Sequence, residues 1–162
     1  MAVFPGFTRP MRPGEEDAVA ALLRAAFGGD EEARLVDALR REGAIAGERV
    51  LPMGREMIGY YALSAMRAPE GWLCLAPVAI APEHQRRGHG RRMVGQLAEW
   101  ARLSGQYVVV LGEVAFYARA GFRADRAARL TSPFPVAHML LAGPGKEAPE
   151  AGLIYPRAFG AG

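Results

Sequence analysis

Apolar residues recur at helical spacing in two stretches near the beginning of the chain. The first stretch follows a short predicted strand at residues 7–11 and a run of acidic residues, and Gly28-Gly29 ends it. The second stretch has Asp30 as its predicted N-cap and ends near Gly43. Because the apolar positions of each stretch share one face, the pattern predicts two amphipathic helices.

Three strand-like runs follow at residues 48–53, 56–66 and 72–80, and short turns separate them. They predict an antiparallel meander. The third run contains Pro77 in an otherwise apolar segment. Because proline has no N–H to donate to a neighbouring strand, we expect this strand to break or bulge there.

The second half of the chain alternates between strand and helix patterns. A glycine-containing loop leads into a helix that runs to about Leu103. The remaining elements are predicted in the order strand, helix, strand and strand, at residues 107–111, 114–120, 127–130 and 137–141. Parallel strands need a crossover, so the strand–helix–strand unit over 72–111 predicts one parallel pair. The chain is therefore predicted to be a mixed α/β protein.

Length and composition fit one domain spanning residues 1–162, with an apolar tail at 143–162 packed on it. The single cysteine, Cys74, excludes a disulfide framework within the chain and a multi-cysteine zinc site. Three histidines without metal-ligand spacing predict no metal site. No apolar run is long enough to span a bilayer, and residues 1–10 lack the apolar centre of a signal peptide. We therefore expect a cytoplasmic protein without a membrane partner.

Charge is distributed unevenly along the chain, with a net −2 over residues 1–70 and +5 over residues 71–162. An anionic partner is therefore expected in the second part. The overall charge is only +3, and no aromatic residues alternate with the arginines of residues 86–92. We therefore expect no binding to nucleic acid.

The segment Gln85-Arg86-Arg87-Gly88-His89-Gly90 joins a predicted strand to a predicted helix. Free N–H groups at such a junction point into one concavity, and the helix dipole adds positive potential. Gly88 and Gly90 allow the backbone to approach a ligand closely, and the arginines surround the site with positive charge. This pattern predicts a phosphate cradle. It lacks the Gly-Lys-Ser/Thr of a P-loop and the third glycine of a dinucleotide-binding loop.

This segment resembles the acetyl-CoA loop of the GNAT N-acetyltransferase superfamily, Gln/Arg-x-x-Gly-x-Gly/Ala. The preceding Val78-Ala79-Ile80-Ala81-Pro82 is similar to the family's fourth strand and its exit, and Pro77 is where we place the family's bulge. Tyr117-Ala118-Arg119-Ala120-Gly121-Phe122 resembles the second signature, Tyr-x-x-x-Gly-Phe. Leu111-Gly112-Glu113 resembles a bacterial branch of predicted acetyltransferases. In element order the resemblance covers roughly residues 7–142.

The resemblance implies a GNAT-like fold: a mixed, mostly antiparallel sheet with one central parallel pair that splays at the cofactor site, flanked by helices. The cofactor-binding core would span about 72–122. The cosubstrate would be acetyl-CoA, with no metal ion. The residues that would contact it are Val78, Ala79, Ile80, Gln85, Arg86, Arg87, Gly88, His89, Gly90, Arg91, Glu113 and Phe116.

The implied reaction moves the acetyl group directly to an amine, without a covalent enzyme intermediate. Tyr117 would protonate or hydrogen-bond the leaving thiolate, because a phenol with a pKa of about 10 stays protonated at neutral pH. Glu83 would remove the amine proton directly or through water, and His84 and Glu113 are alternatives. A core-packing role for Tyr117 and a solvated loop role for Glu83 also fit the sequence.

Two functions remain open at the level of sequence. The first is an N-acetyltransferase that acts on a small-molecule or peptide amine. The second is a non-catalytic sensor or interaction module of the same fold that binds CoA or acyl-CoA. Both need the same cradle, and an intact Tyr117 favours the enzyme. The identity of the acceptor is not predicted, and either a monomer or a homodimer is compatible with the sequence.

Overall fold

A computed structural model describes residues 7–160 of the chain; residues 1–6 and 161–162 lie outside the described residues. The absence of a signal-peptide pattern at residues 1–10 and the packing of the tail at residues 143–162 are therefore expectations that fall partly outside the described residues. The helices are α1 to α4, at Glu16–Phe27, Glu31–Glu42, His89–Ser104 and Val114–Arg119. The strands are β1 to β8, at Arg9–Pro10, Ile45–Met53, Glu56–Ala65, Leu73–Ile80, Val108–Leu111, Leu130–Thr131, Met139–Ala142 and Ala151–Gly152.

The two predicted N-terminal helices are confirmed as α1 and α2, which end at Gly28 and Gly43. The capping role of Asp30 is only half right. Asp30 occupies the N-cap position of α2, but its side chain caps no backbone N–H and instead pairs with Arg24 and Arg34. None of the helices within residues 7–160 has the length and apolar character needed to cross a membrane.

Six strands form the main sheet, in the order β1-β2-β3-β4-β5-β7. Neighbouring strands are antiparallel except for β4 and β5, which confirms the predicted single parallel pair in this sheet. The ladder between β4 and β5 contains only two residue pairs, Leu73 with Val108 and Cys74 with Val109. Beyond Cys74 the two strands diverge, so the sheet is open between them.

The divergence begins where the predicted bulge falls. Between β3 and β4, Tyr61 pairs with Val78 and Leu63 pairs with Leu75, so β4 contains one more residue than β3 across this interval. Pro77 lies in that interval, which confirms the expected irregularity. The last three residues of β4 remain paired with β3 on one edge and have no β5 partner on the other.

The two late strands were predicted with the wrong beginnings. Asp125–Ala127 and Val136–His138 are 3₁₀ turns, and β6 and β7 begin only after them. The buried Arg126 explains the first turn, because its guanidinium donates to the carbonyl oxygens of Gly143, Pro144 and Glu147. A strand there would carry this side chain away from those acceptors. The chain also forms a second sheet that was not predicted, in which β6 and β8 pair in parallel.

Residues of the tail lie in the apolar interior. Leu153 and Tyr155 are buried in a cluster with Trp72, Cys74 and Met139 on the sheet. The end of the tail is also held by α2, because the Glu42 carboxylate accepts the backbone N–H groups of Arg157 at 2.7 Å and Ala158 at 2.9 Å. A carboxylate at the C-terminal end of α2 opposes the helix dipole, so its contact with the tail explains its position.

Replacing Glu42 by Gln should therefore weaken the attachment of the tail. The amide keeps the shape of the side chain but presents only one acceptor to two N–H donors. We expect the free energy of unfolding to fall by about 1 kcal/mol, measured by urea denaturation. Glu70→Gln is the control, because the exposed Glu70 makes no hydrogen bond or ion pair within residues 7–160. Equal stability of the two variants would contradict this role.

Candidate active site

A cleft of about 610 Å³ lies where β4 leaves β5, between the beginning of α3 and the short helix α4. It is lined by Val78, Ile80, His84, Gln85, Arg86, Gly88, His89, Gly90, Arg91, Glu113, Phe116, Tyr117 and Arg119. Ten of the twelve residues expected to contact acetyl-CoA are in this lining, and Ala79 and Arg87 are not. Ala79 is buried on the core side and its backbone pairs with Tyr60 of β3, and Arg87 is exposed outside the cleft.

The loop at the floor of the cleft is shaped by two residues with positive φ, Arg86 at 64° and Gly88 at 85°. Left-handed residues in such a loop turn successive N–H groups towards the same side. Within residues 7–160, the N–H groups of residues 86–91 donate to no backbone carbonyl. The amide of Gln85 fastens the beginning of the loop, because Nε2 donates to the carbonyl oxygen of Ile80 at 2.9 Å.

The two glycines of the loop have different surroundings. A Cβ on Gly88 would meet nothing within 4 Å, so space is open there, and its φ of +85° is the obstacle to any other residue. A Cβ on Gly90 would lie 3.4 Å from Phe116 Cζ and 3.5 Å from Ile80 Cγ1. Gly90 therefore lets the ring of Phe116 pack against the first turn of α3.

The cleft has an excess of positive charge. Arg86, Arg91 and Arg119 line it, and Glu113 is the one carboxylate in the lining. These three arginines make no ion pair or hydrogen bond within the described part of the chain. His89 also lines the cleft, and its pKa is lowered by burial, by His84 and by nearby arginines. The loop therefore presents N–H donors and cations to an anion without carboxylates to oppose them.

Tyr117 lines the same cleft from α4. Its ring packs edge-on against Phe116 at 4.9 Å and Phe122 at 6.0 Å between centroids. Burial raises the pKa of the Tyr117 phenol to about 12, with smaller contributions from Cys74 and Glu113. The hydroxyl makes no hydrogen bond within residues 7–160. At neutral pH it is therefore a protonated donor whose hydrogen bond is available to a ligand.

Gly112 makes room for that ring. A Cβ at this position would lie 2.7 Å from Tyr117 Cε2, which is closer than carbon atoms can approach. The Gly112 backbone is also held in place, because its N–H donates a hydrogen bond to the His138 carbonyl oxygen at 3.0 Å. The sequence pattern around Gly112 marks its position, but the contact of Gly112 with Tyr117 is evident only from the fold.

The three candidate bases lie in different settings. Glu83 is exposed and does not line the cleft. His84 lines the cleft with Nε2 at 3.6 Å from a carboxylate oxygen of Glu56, and its Nδ1 is buried without a hydrogen-bond partner among the described residues. Glu113 lines the cleft near Tyr117 and raises its pKa. The role of Glu83 stays a prediction.

Sequence reasoning did not select Arg119, which follows Tyr117 by two positions and lines the cleft. It matches a variable position of the Tyr-x-x-x-Gly-Phe pattern, so no motif signals it. Among residues 7–160, no group of three His, Cys, Asp or Glu side chains is arranged to hold a metal ion.

The sequence was compared with known proteins. Residues 8–122 match the model of the family described as the acetyltransferase (GNAT) family. The uncharacterized N-acetyltransferase YhbS of Escherichia coli strain K12 is 32% identical over 115 residues, which cover 68% of this chain and 69% of that protein. The uncharacterized N-acetyltransferase YjhQ of the same strain is 40% identical over 68 residues, or 40% of this chain and 38% of that protein.

Two solved structures resemble the fold over nearly its whole length. YhbS from Escherichia coli in complex with CoA has a TM-score of 0.87 and 26% identity, covering 99% of this chain and 94% of that chain. A GNAT family acetyltransferase from Brucella melitensis in complex with acetyl-CoA has a TM-score of 0.77 and 26% identity, covering 94% and 96%. The mixed sheet with its helices is therefore the fold that these two acetyltransferases share.

Proposed function

The chain belongs to the GNAT acetyltransferase family and is an acyltransferase, and from that premise we propose that it moves the acetyl group of acetyl-CoA directly to the amine of an acceptor. One observation carries the proposal. A loop of free N–H groups and arginines, the unpaired edge of β4 and the phenol of Tyr117 all face one cleft. Each part matches a different portion of acetyl-CoA: phosphates, an amide-bearing arm and a thioester.

The loop end of the cleft fits the pyrophosphate. The N–H groups of residues 86–91 are without backbone acceptors, and Arg86 and Arg91 add positive charge beside them. Oriented N–H groups at the beginning of a helix stabilise phosphate by direct donation and through the helix dipole. The complexes of two similar proteins with CoA and acetyl-CoA support the same ligand for this chain.

The middle of the cleft fits the pantetheine arm. The arm carries two amides, which can pair with a free strand edge in the way that an added strand does. Val78 and Ile80 lie beyond the last pair with β5, and their backbone groups point away from β3, because alternate residues such as Ala79 exchange hydrogen bonds with it. The Ile80 carbonyl already accepts Gln85 Nε2, so the N–H and C=O of Val78 and the N–H of Ile80 remain for the arm. An N–H of this strand would also polarise the thioester carbonyl.

Acetyl-CoA supplies an activated acetyl group as a thioester. A neutral amine forms the new C–N bond as the C–S bond breaks, and no residue of the enzyme is acylated. Tyr117 donates its phenolic proton to the departing sulfur and regains a proton from solvent. The amine loses its extra proton to water, or to Glu113 or His84, which line the cleft. Glu83 would act through water, because it lies outside the lining.

Moving Tyr117 without removing it is expected to slow this step. Gly112→Ala places a methyl group in the space of the Tyr117 ring. Misplacement of a catalytic group by about 1 Å can cost roughly 10²-fold in rate, so we expect kcat to fall by roughly 10- to 100-fold while the Kd for acetyl-CoA changes little. Gly47→Ala is the matched control, because a Cβ there meets nothing within 4 Å. Equal kcat values in the two variants would contradict the role of Gly112 in positioning Tyr117.

The acceptor is expected to be a small-molecule or peptide amine. The test is a panel of polyamines, amino acids, aminoglycosides and short peptides incubated with the protein and acetyl-CoA. CoA thiol release is followed by a chromogenic disulfide, and the acetylated product is identified by mass spectrometry. We expect at least one amine to yield thiol and acetylated amine in equal amounts. Thiol release without an acetylated amine would contradict direct transfer.

A further inference from the structure

A second, shallower cleft of about 370 Å³ adjoins the first and lies over the contact between α3 and α4. It is lined by Gly88, Arg91, Arg92, Gly95, Arg119 and Ala120. Three of these residues, Gly88, Arg91 and Arg119, also line the first cleft, so the two form one continuous surface. Any ligand that passes the loop at Gly88 in this direction enters the second cleft.

The lining of the second cleft combines two kinds of residue. Gly95 and Ala120 are small and close together, since a Cβ on Gly95 would lie 3.6 Å from the Ala120 carbonyl oxygen. These two small residues form the floor of the second cleft. Three arginines surround the floor, and the lining contains no carboxylate. Guanidinium groups stack on aromatic rings and bind phosphate through paired N–H donors. The composition therefore suits a ligand that carries both a planar base and a phosphate group.

Arg91 and Arg119 also differ from the arginines that follow them on the same part of the fold. Arg102, on α3, pairs with Glu99 at 2.5 Å, and Arg123, beyond α4, pairs with Asp125 at 3.0 Å. Arg91 and Arg119 have neither an ion pair nor a hydrogen bond within residues 7–160. No charge among residues 7–160 therefore pairs with them at the surface where the two clefts meet.

We propose that Arg91 and Arg119 bind the 3′-phosphate of the cosubstrate, so that this enzyme distinguishes CoA from 3′-dephospho-CoA. The inference rests on the proposed function, in which the pyrophosphate lies on the loop and the pantetheine arm follows β4. The remaining part of CoA is a 3′-phosphorylated adenosine, and it must leave the loop on the side away from β4. The second cleft lies on that side and joins the loop at Gly88.

The 3′-phosphate is a monoester with a charge between −1.5 and −2 at neutral pH. It is therefore the most highly charged single group of the cosubstrate. The position of Arg119 at the boundary of both clefts allows it to reach a phosphate at the ribose while the pyrophosphate occupies the loop. Charge-assisted hydrogen bonds of this kind account for roughly 10- to 100-fold in affinity.

The test is isothermal titration of CoA and of 3′-dephospho-CoA into the wild-type protein, Arg119→Gln and Arg91→Gln at about 0.15 M salt, where long-range charge effects are largely screened. We expect the wild type to bind CoA roughly 10- to 100-fold more tightly than 3′-dephospho-CoA. Arg119→Gln should remove most of this difference by weakening CoA alone. Arg91→Gln should reduce the difference and also weaken both ligands, because Arg91 lies beside the pyrophosphate loop as well. Arg123→Gln is the control and should keep the full difference, because Arg123 already pairs with Asp125.

Equal affinity of the wild type for both ligands would overturn the proposal and leave the proposed function intact. Equal weakening of both ligands in Arg119→Gln would overturn it too, because the arginine would then act on the ligand as a whole. Failure of the wild type to bind either ligand would instead contradict the proposed function, and the inference with it.

Discussion

Replacing Tyr117 by Phe is expected to slow acetyl transfer by roughly 10²- to 10⁴-fold, the range for loss of a general acid. The substitution removes one hydroxyl and keeps the ring between Phe116, Phe122 and Gly112. Packing should therefore survive, and the Kd for acetyl-CoA should change little. Single-turnover measurements with excess enzyme isolate the chemical step from product release. The fall will be smaller where water replaces the hydroxyl as proton donor.

The pH profile gives a second, independent check on Tyr117. A general acid acts while it is protonated, and burial raises the pKa of this phenol to about 12. The Tyr117 proton is therefore present throughout the neutral and mildly alkaline range. At pH values below about 11, deprotonation of Tyr117 should not reduce the rate. An unchanged single-turnover rate in Tyr117→Phe would remove the hydroxyl from the mechanism. Phe122→Leu serves as the comparison for Tyr117→Phe, because it loosens the packing of the Tyr117 ring without removing the phenolic proton.

Replacing Gly88 by Val is expected to abolish measurable binding of acetyl-CoA, with a loss of roughly 100-fold or more. Gly88 has a φ of +85°, and a β-branched residue is a strong outlier in that region. Either the loop changes conformation, which redirects the N–H groups of residues 86–91, or the valine side chain projects into space that is open in the protein alone. Both outcomes disrupt the phosphate cradle.

Gly105→Val separates strain from binding. Gly105 ends the same helix, has a φ of +76° and would also meet nothing within 4 Å of an added Cβ. The two variants should therefore lose comparable stability in urea denaturation, about 1 kcal/mol or more. Only Gly88→Val should lose acetyl-CoA affinity in isothermal titration. Retained affinity in Gly88→Val would mean that the phosphates bind elsewhere, and loss of affinity in both variants would assign the effect to strain in α3 and contradict the cradle.

Much of the fold could be predicted because strong local signals agree with it. Apolar periodicity predicts α1, α2 and α3, and the glycines at 28, 43 and 105 predict where each of these helices ends. Pro77 predicts the irregularity in β4 because a missing N–H has the same consequence in any strand. The strand–helix–strand order requires the parallel pair of β4 and β5.

The beginnings of the late strands could not be predicted for an equally physical reason. The turn at Asp125–Ala127 depends on Arg126, whose acceptors lie 17 to 21 residues further along the chain. No pattern within a few residues of Arg126 contains that information. The pairing of β6 with β8 is also non-local, and it joins strands of only two residues each.

The residues of the site also divide into those that the sequence motif identifies and those that only the fold reveals. The loop of residues 85–90 is contiguous, so the motif identifies its glycines and arginines directly. Arg119 and Gly112 are not identified by the motif, because only the fold brings Arg119 into one lining with residues of α3 and places Gly112 against the Tyr117 ring. Gln85 was expected to contact the cosubstrate, and its side chain already holds the Ile80 carbonyl. Its contribution therefore includes fixing the end of β4 against the loop.

The most direct measurement is the distance from Tyr117 Oη to the thioester sulfur in a crystal structure of the complex with acetyl-CoA. The account predicts a sulfur within hydrogen-bonding distance of this hydroxyl, with the pyrophosphate on the N–H groups of residues 86–91 and the arm along Val78 to Ile80. A well-ordered acetyl-CoA whose sulfur lies beyond reach of Tyr117, or whose phosphates lie away from this loop, would contradict it.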